Sequence, residues 1–370
     1  MLFRSQNSRA QATGDLSLKG GATVSLTDAS AEAGGDLTLT GENGNVTLAN
    51  SHATGAENVT ASAGENVTLS GASTLTATNG AMEATATNGN LDLNGNSGAS
   101  AATTLDVQAG NQVSLSNATL QSGDDMSVTA DEGDVLLTNS HAATDGAQTV
   151  SAGGSVRLTQ SQLHTKTDGD MTVTAEAGDI GLTSSQMWAG GAFDGQAGGN
   201  AVLTNSLISA GGTLDLDAGH NVRLAQGSGI NGTGDTGVNA NEGELLILDI
   251  GQILSGADLD MNAGTNVILH TGVALGQQDL TVTAGQDLRL SGGAQLLASE
   301  GDLSATGESG DVLLSQNSVV GAAGDVALTA GQAMTLTDAM VAAGADLALT
   351  ARQGSMVLMH SNAGAGGNAD

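Results

Sequence analysis

Apolar and polar residues alternate along this chain in short bursts: Leu37-Thr38-Leu39-Thr40, Val67-Thr68-Leu69-Ser70, Met171-Thr172-Val173-Thr174. A period of two puts successive side chains on opposite faces of an extended segment, so each burst predicts a strand with one buried face. Gly-acidic or Gly-amide turns separate the bursts. The stretch "GGDLTLTGENGNVTLANS", residues 34–51, holds two such turns, and each launches a strand. The first inward residue of the "GNVTL" strand falls at Val24, Val46, Val67, Leu91 and Val113, and on through Val202 to Val357. The "GDLTL" strand gives Leu16, Leu37, Val59 and Met82, and on through Val150 and Val238 to Leu347. Both series have sixteen members, spaced on average by about 22 residues.

A weaker third segment follows seven residues after the first marker, at Ala31, Ala53, Leu120, Ala142, Leu163, Met187, Val319 and Val341. Three short strands per 22 residues make no free-standing sheet. They suit one rung of a stack, in which neighbouring rungs supply the backbone partners that one rung lacks. The expected fold is all-β: a single-stranded parallel β-helix (solenoid) of about sixteen rungs, right-handed, on the order of 75 Å long at one strand spacing per rung. Residues 14–360 are its repeat domain, 1–13 an irregular lead-in and 361–370 a frayed Gly/Ala/Asn-rich exit. The corners "LANS" 48–51, "LTNS" 137–140, "LTQS" 158–161 and "LTNS" 203–206 add amides and hydroxyls. Asn tolerates left-handed turns, and like side chains on successive rungs hydrogen-bond as ladders. A helical solenoid would need longer repeats with 3.6-residue spacing, and calcium-binding nonapeptide repeats have another period.

Composition narrows the function classes. The chain has 56 Gly, no Pro, one Trp, two Phe and no Tyr, so its core is built from aliphatic residues and Ala. Net charge is −31, which repels nucleic acid and anionic lipid surfaces alike. No Cys is present, excluding disulfides and thiolate chemistry. No apolar run reaches transmembrane length, so no membrane insertion is expected, and "MLFRSQNSRAQATG" shows no signal peptide.

The style of the repeat, as in "DGDMTVTAEAGDIGLTSS" 168–185 and "GADLDMNAGTNVILH" 256–270, resembles the repeats of filamentous haemagglutinins. Related repeats form the stalks of contact-dependent growth inhibition toxins and other large exoproteins of Gram-negative bacteria. The resemblance covers about residues 13 to 360. It implies a structural or adhesive segment of a secreted or cell-surface exoprotein, exported through an outer-membrane two-partner-secretion transporter. Its ligand would be a receptor or glycan on a host or neighbouring cell. The alternative it implies is the delivery stalk of a contact-dependent toxin. Neither the secretion domain nor the toxin region of such proteins is recognisable here, so an internal segment of a larger protein is expected.

Catalysis is not expected, and no cofactor or metal is assigned. The acidic residues Asp36, Asp134, Asp170, Asp179, Asp302, Asp311 and Asp325 follow Gly at turns, where solvated turn chemistry accounts for them. Polysaccharide-active β-helices need converging carboxylates with basic and aromatic groups, which this composition does not favour. Thr pairs such as Thr38/Thr40 and Thr281/Thr283 resemble an ice-binding face, but Asp215/Asp217 and Asp258/Asp260 interrupt the array. Arg157, Arg223 and Arg289 share an outward strand position 66 residues apart and relieve acidic repulsion. The sequons at Asn45, Asn58, Asn66, Asn117 and Asn231 arise automatically from Asn before a strand with Thr outward. The six His show no metal-ligand spacing.

One surface patch stands out. Leu163 and Met187 are inward, so His164 and Trp188 point outward on adjacent rungs, with His141 one outward position along on the preceding rung and Lys166 in the turn. A lone exposed Trp in a chain nearly devoid of aromatics suits glycan stacking or a protein contact. Against it stands a lone surface apolar residue, or a Trp folded under the irregular segment "AGGAFDGQAGG".

Overall fold

A computed structural model describes residues 2–370. Among them all regular structure is β-strand, and each turn of the chain contributes three. The turn that starts at Leu37 is representative. Leu37–Gly41 joins a first sheet, Val46–Ala49 a second and His52–Gly55 a third. Each strand lies parallel to its counterpart one turn on, with Leu37 opposite Val59, Val46 opposite Val67 and His52 opposite Thr74. The fold is a parallel β-solenoid of about sixteen turns, the number of strands in the first sheet. Close packing divides it into two units, Met1–Asp179 with Ser185–Gly191, and Ile180–Ser184 with Ala192–Asp370.

Alternation drives the core. Leu37, Leu39, Val46, Leu48 and Ala53 are fully buried, while Thr38, Thr40 and Thr47 between them are half-buried on the outer surface. Each buried Leu or Val contributes about 1.5–3 kcal/mol relative to an exposed one. Third-strand inward positions are Ala in several turns, among them Ala31, Ala53 and Ala142. The corners carry the backbone onward: the Val46 amide donates to Asn66 O at 2.9 Å, and that of His52 to Ala29 O at 3.1 Å.

Three marker residues sit off the inward positions, and two others are second rather than first in their strands. Ala201 is buried where Val202 was expected, and Val202 faces outward; Met356, not Val357, pairs with Met334. Gln148 and Thr236 hold the first inward positions assigned to Val150 and Val238, which are the second inward residues of their strands. Val320 is inward rather than Val319 because Gln316 and Asn317 both adopt positive φ and lengthen that corner by one residue.

Pairing also reaches further than the sequence implies. Phe3–Gln6 and Arg9–Ala12 are strands, with Phe3 opposite Val24 and Arg9 opposite Ser30, so the lead-in is not irregular. Asn362–Ala365 pairs with Met340–Ala343 inside the expected frayed exit. The segment around Phe193 is strand as well. Phe193 is buried against Leu214, and Gly195 leaves room for its ring, since a Cβ there would meet Phe193 Cε1 at 2.7 Å.

Candidate functional site

Each of the three corners is sealed by a side-chain ladder that climbs the stack. Between second and third strands, Asn50, Asn139, Gln160 and Asn205 take positive φ of 47–51°. The Ser that follows turns inward. Ser51, Ser140 and Ser161 are buried, and each hydroxyl accepts the amide of its counterpart in the preceding turn and donates to a carbonyl two residues back. Between third and first strands the ladder is acidic: the Asp302 carboxylate accepts the Asp325 amide, Asp325 that of Asp346, and Asp279 that of Asp302. Between first and second strands, Asn45 accepts from Asn66, and Asp311 from Ala333.

The carboxylates after Gly are thus backbone caps, a role more specific than solvation. Asp36 and Asp134 do the same for Asn58 and Ser155. Three sequon amides are engaged too, since Asn45, Asn58 and Asn66 each accept a backbone amide from the next turn. Arg157 pairs with Asp179 at 3.7 Å and Arg289 with Asp287 at 2.6 Å, so these two arginines do neutralise neighbouring acids.

On the outer face of the first sheet, Glu83 and Asp106 stand opposite each other on adjacent turns. They line an open groove of about 460 Å³ with Asp36, Thr38 and Thr60. Burial, and then the Glu83 charge, push the Asp106 carboxyl above its ordinary range, while Ser127 partly opposes this. The lining contains neither a basic nor an aromatic side chain. Such a pair can hold a proton, but nothing beside it grips a sugar ring or an anion.

The aromatic patch lies on the third sheet of the first unit. Leu163 and Met187 are buried, and His164 pairs in register with Trp188. Their rings are 4.3 Å apart and inclined at 55°. Trp188 is 46% exposed, so it is not folded beneath a neighbouring segment. Lys166 extends from the same strand to Asp145, 2.5 Å away. His141 sits one turn back, in register with Gln162 rather than with His164. The register slips after His164, and the bulged backbone is held by Gly190, where any Cβ would strike the Lys166 carbonyl. Burial foremost, then the charges of His141 and Lys166, hold the His164 imidazole below the ordinary histidine range. The imidazole is therefore neutral at pH 7 and presents a flat, uncharged ring beside the indole. The structure brings His164 and Trp188 into contact; His141 and Lys166 act on the pair through charge.

Residues 108–252, which include the whole patch, match the family model described as a hemagglutinin repeat. This region is a filamentous haemagglutinin-type repeat. No match was found among curated proteins or among solved structures. No helix of the described residues is long and apolar enough to cross a membrane.

Proposed function

We propose that this chain is a stalk segment of a secreted or cell-surface bacterial exoprotein of adhesin type, and that it touches its target through the aromatic patch. The observation that carries the reading is the hemagglutinin-repeat match over residues 108–252, on a chain whose turns spend their carboxylates, amides and hydroxyls on holding one turn to the next. Repeats of this kind are typical of secreted and surface proteins. An outer-membrane two-partner-secretion transporter is the proposed export route. A scaffold of repeated turns leaves its outward side chains free to vary, and repeated contacts along it add by avidity.

Within that role, Trp188 and His164 form a platform for the apolar face of a sugar ring, with Lys166 and Asp145 at its edge to take hydroxyls. The test is adhesion of beads coated with the chain to cultured epithelial and bacterial cells, with competing monosaccharides. Wild-type beads should adhere and Trp188→Ala beads should lose most of that adhesion. Equal adhesion by both would remove the patch from the proposal, and no adhesion by either would favour a delivery stalk whose contacts lie elsewhere.

A further inference from the structure

In the second unit the outward faces change character. Where the first unit shows Ser25, Thr47 and Thr68 on its second sheet, the second unit shows Val202, Leu246, Ile268 and Leu313 in the same column. On the third sheet, Leu254, Leu275 and Leu297 stack on successive turns, beside Val273 and Val319. All are half-buried rather than covered, and Ile250, at the corner joining the two faces, is 66% exposed. The sequence "ELLILDIGQILSG" 244–256 shows the cause: here both faces of the strands are apolar.

Charge is segregated with equal sharpness. From Ala201 to Gly321 the outward and corner positions of these two sheets hold one acid, Asp249, and two arginines, Arg223 and Arg289. The many other acids of the same stretch lie on the first sheet and its flanking turns. Arg289 is paired with Asp287, whereas Arg223, between Val202 and Leu246, forms no ion pair among the described residues.

We infer that this aliphatic strip is a self-association surface, whose occupant is the same strip of a second copy of this chain. Two molecules of net charge −31 repel through almost any other pair of faces, but here they meet with their carboxylates turned away. A second copy also matches the strip in rise and in aliphatic character. A two-fold arrangement sets the middle of the strip, near Leu254 and Leu275, against itself. Six turns give a strip about 29 Å long, and each face is about 13 Å wide, or roughly 400 Å² per face. A copy seated on one of these faces buries roughly 400 Å² per partner, the small end of specific interfaces, so a weak dimer is expected.

The test is sedimentation of the full chain over a wide concentration range in about 0.15 and about 0.5 M salt, where the screening length is roughly 8 Å or less. The wild type should form a closed dimer that tightens with salt. Leu275→Glu should weaken it at least tenfold, as should the milder Leu254→Ser/Leu297→Thr, which places residues already tolerated at outward positions of other turns. Thr68→Glu, outward on the first unit, should leave it intact. Because the chain has no Cys, Leu275→Cys can be cross-linked by a short bis-maleimide, and it should join two copies where Thr38→Cys does not. A chain that stays monomeric at about 100 µM overturns the inference. So does association unaffected by the strip variants, including an open-ended series built through the exposed Met356–Met359 strand.

Discussion

Removing the hydroxyl of Ser161 tests whether the inward Ser ladder, rather than strand pairing alone, holds the corners. Ser161 is 1% exposed. Its Oγ accepts the Ser140 amide at 3.1 Å and donates to Thr159 O at 2.8 Å. In Ser161→Ala the Thr159 carbonyl keeps the Asn139 amide, 3.0 Å away, but the buried Ser140 amide loses its acceptor. An unsatisfied buried donor costs about 1–3 kcal/mol. The acidic ladder offers the contrast. Asp302 also accepts an amide, but on an exposed corner where water replaces it. Its removal also relieves two like-charge contacts about one strand spacing away, worth about 0.8 kcal/mol each at the dielectric of water. Asp302→Ala should therefore be neutral or slightly stabilising. Solenoid stability is a sum of local terms, so a global melt dilutes the effect, and native-state hydrogen exchange is the sharper assay. The Ser140 amide should exchange about 5- to 150-fold faster in Ser161→Ala, the range that corresponds to 1–3 kcal/mol. Unchanged protection at Ser140, or an equal loss in Asp302→Ala at Asp325, would refute the division between structural hydroxyls and dispensable carboxylates.

Three further outcomes are expected. The melting temperature should rise with ionic strength, and also as pH falls from 7 towards 5. Asp106 and Asp215 have carboxyls raised in the folded chain, first by burial and then by neighbouring acids, so proton uptake favours folding as pH approaches their folded values from above; a flat calorimetric response to both variables would contradict this. Gly195→Ala should destabilise the second unit by about 1–3 kcal/mol through the clash with the Phe193 ring, and Phe193→Leu in the same chain should restore most of the loss in urea titrations. Fluorescence of Trp188, the chain's only Trp, should be quenched on protonation of His164 with a midpoint below the usual 6.5, and His164→Gln should abolish that step.

Fold and period were legible because they rest on alternation and turn chemistry, which act within a few residues. Leu37, Leu39, Val46 and Leu48 announce their faces by themselves. The inward status of Gln148, Thr236 and Ala201 was not legible, because register is imposed by the turns above and below and overrides the preference of one residue. The juxtaposition of His164 and Trp188 followed from phase alone. The slip after His164 against the next turn did not, because it depends on a backbone approach that only Gly190 permits. The role of the turn carboxylates as amide caps was likewise hidden, since the donor lies about 22 residues away. Its one signal was the recurrence of Asp or Asn at a fixed offset before each strand.

A turn of this solenoid therefore has two populations of side chains under different constraints. Inward residues and corner ladders are fixed by their neighbours: a change at Ser161 or Gly195 is felt one turn away, as an orphaned amide or a displaced ring. Outward residues answer only to solvent and to whatever docks. Sequence differences along the outward columns then report surface function more directly than in a globular domain, where most positions serve packing as well. Read in that way, the second-sheet column of the first unit begins Arg4, Ser25, Thr47, Thr68, while that of the second unit runs Val202, Arg223, Leu246, Ile268, Arg289, Leu313. Nothing in the interior requires the switch, since Leu69 and Leu269 are equally buried beneath them. Outward aliphatics cost solubility in an isolated chain, so their concentration on two adjoining faces is evidence that those faces are covered when the protein is at work.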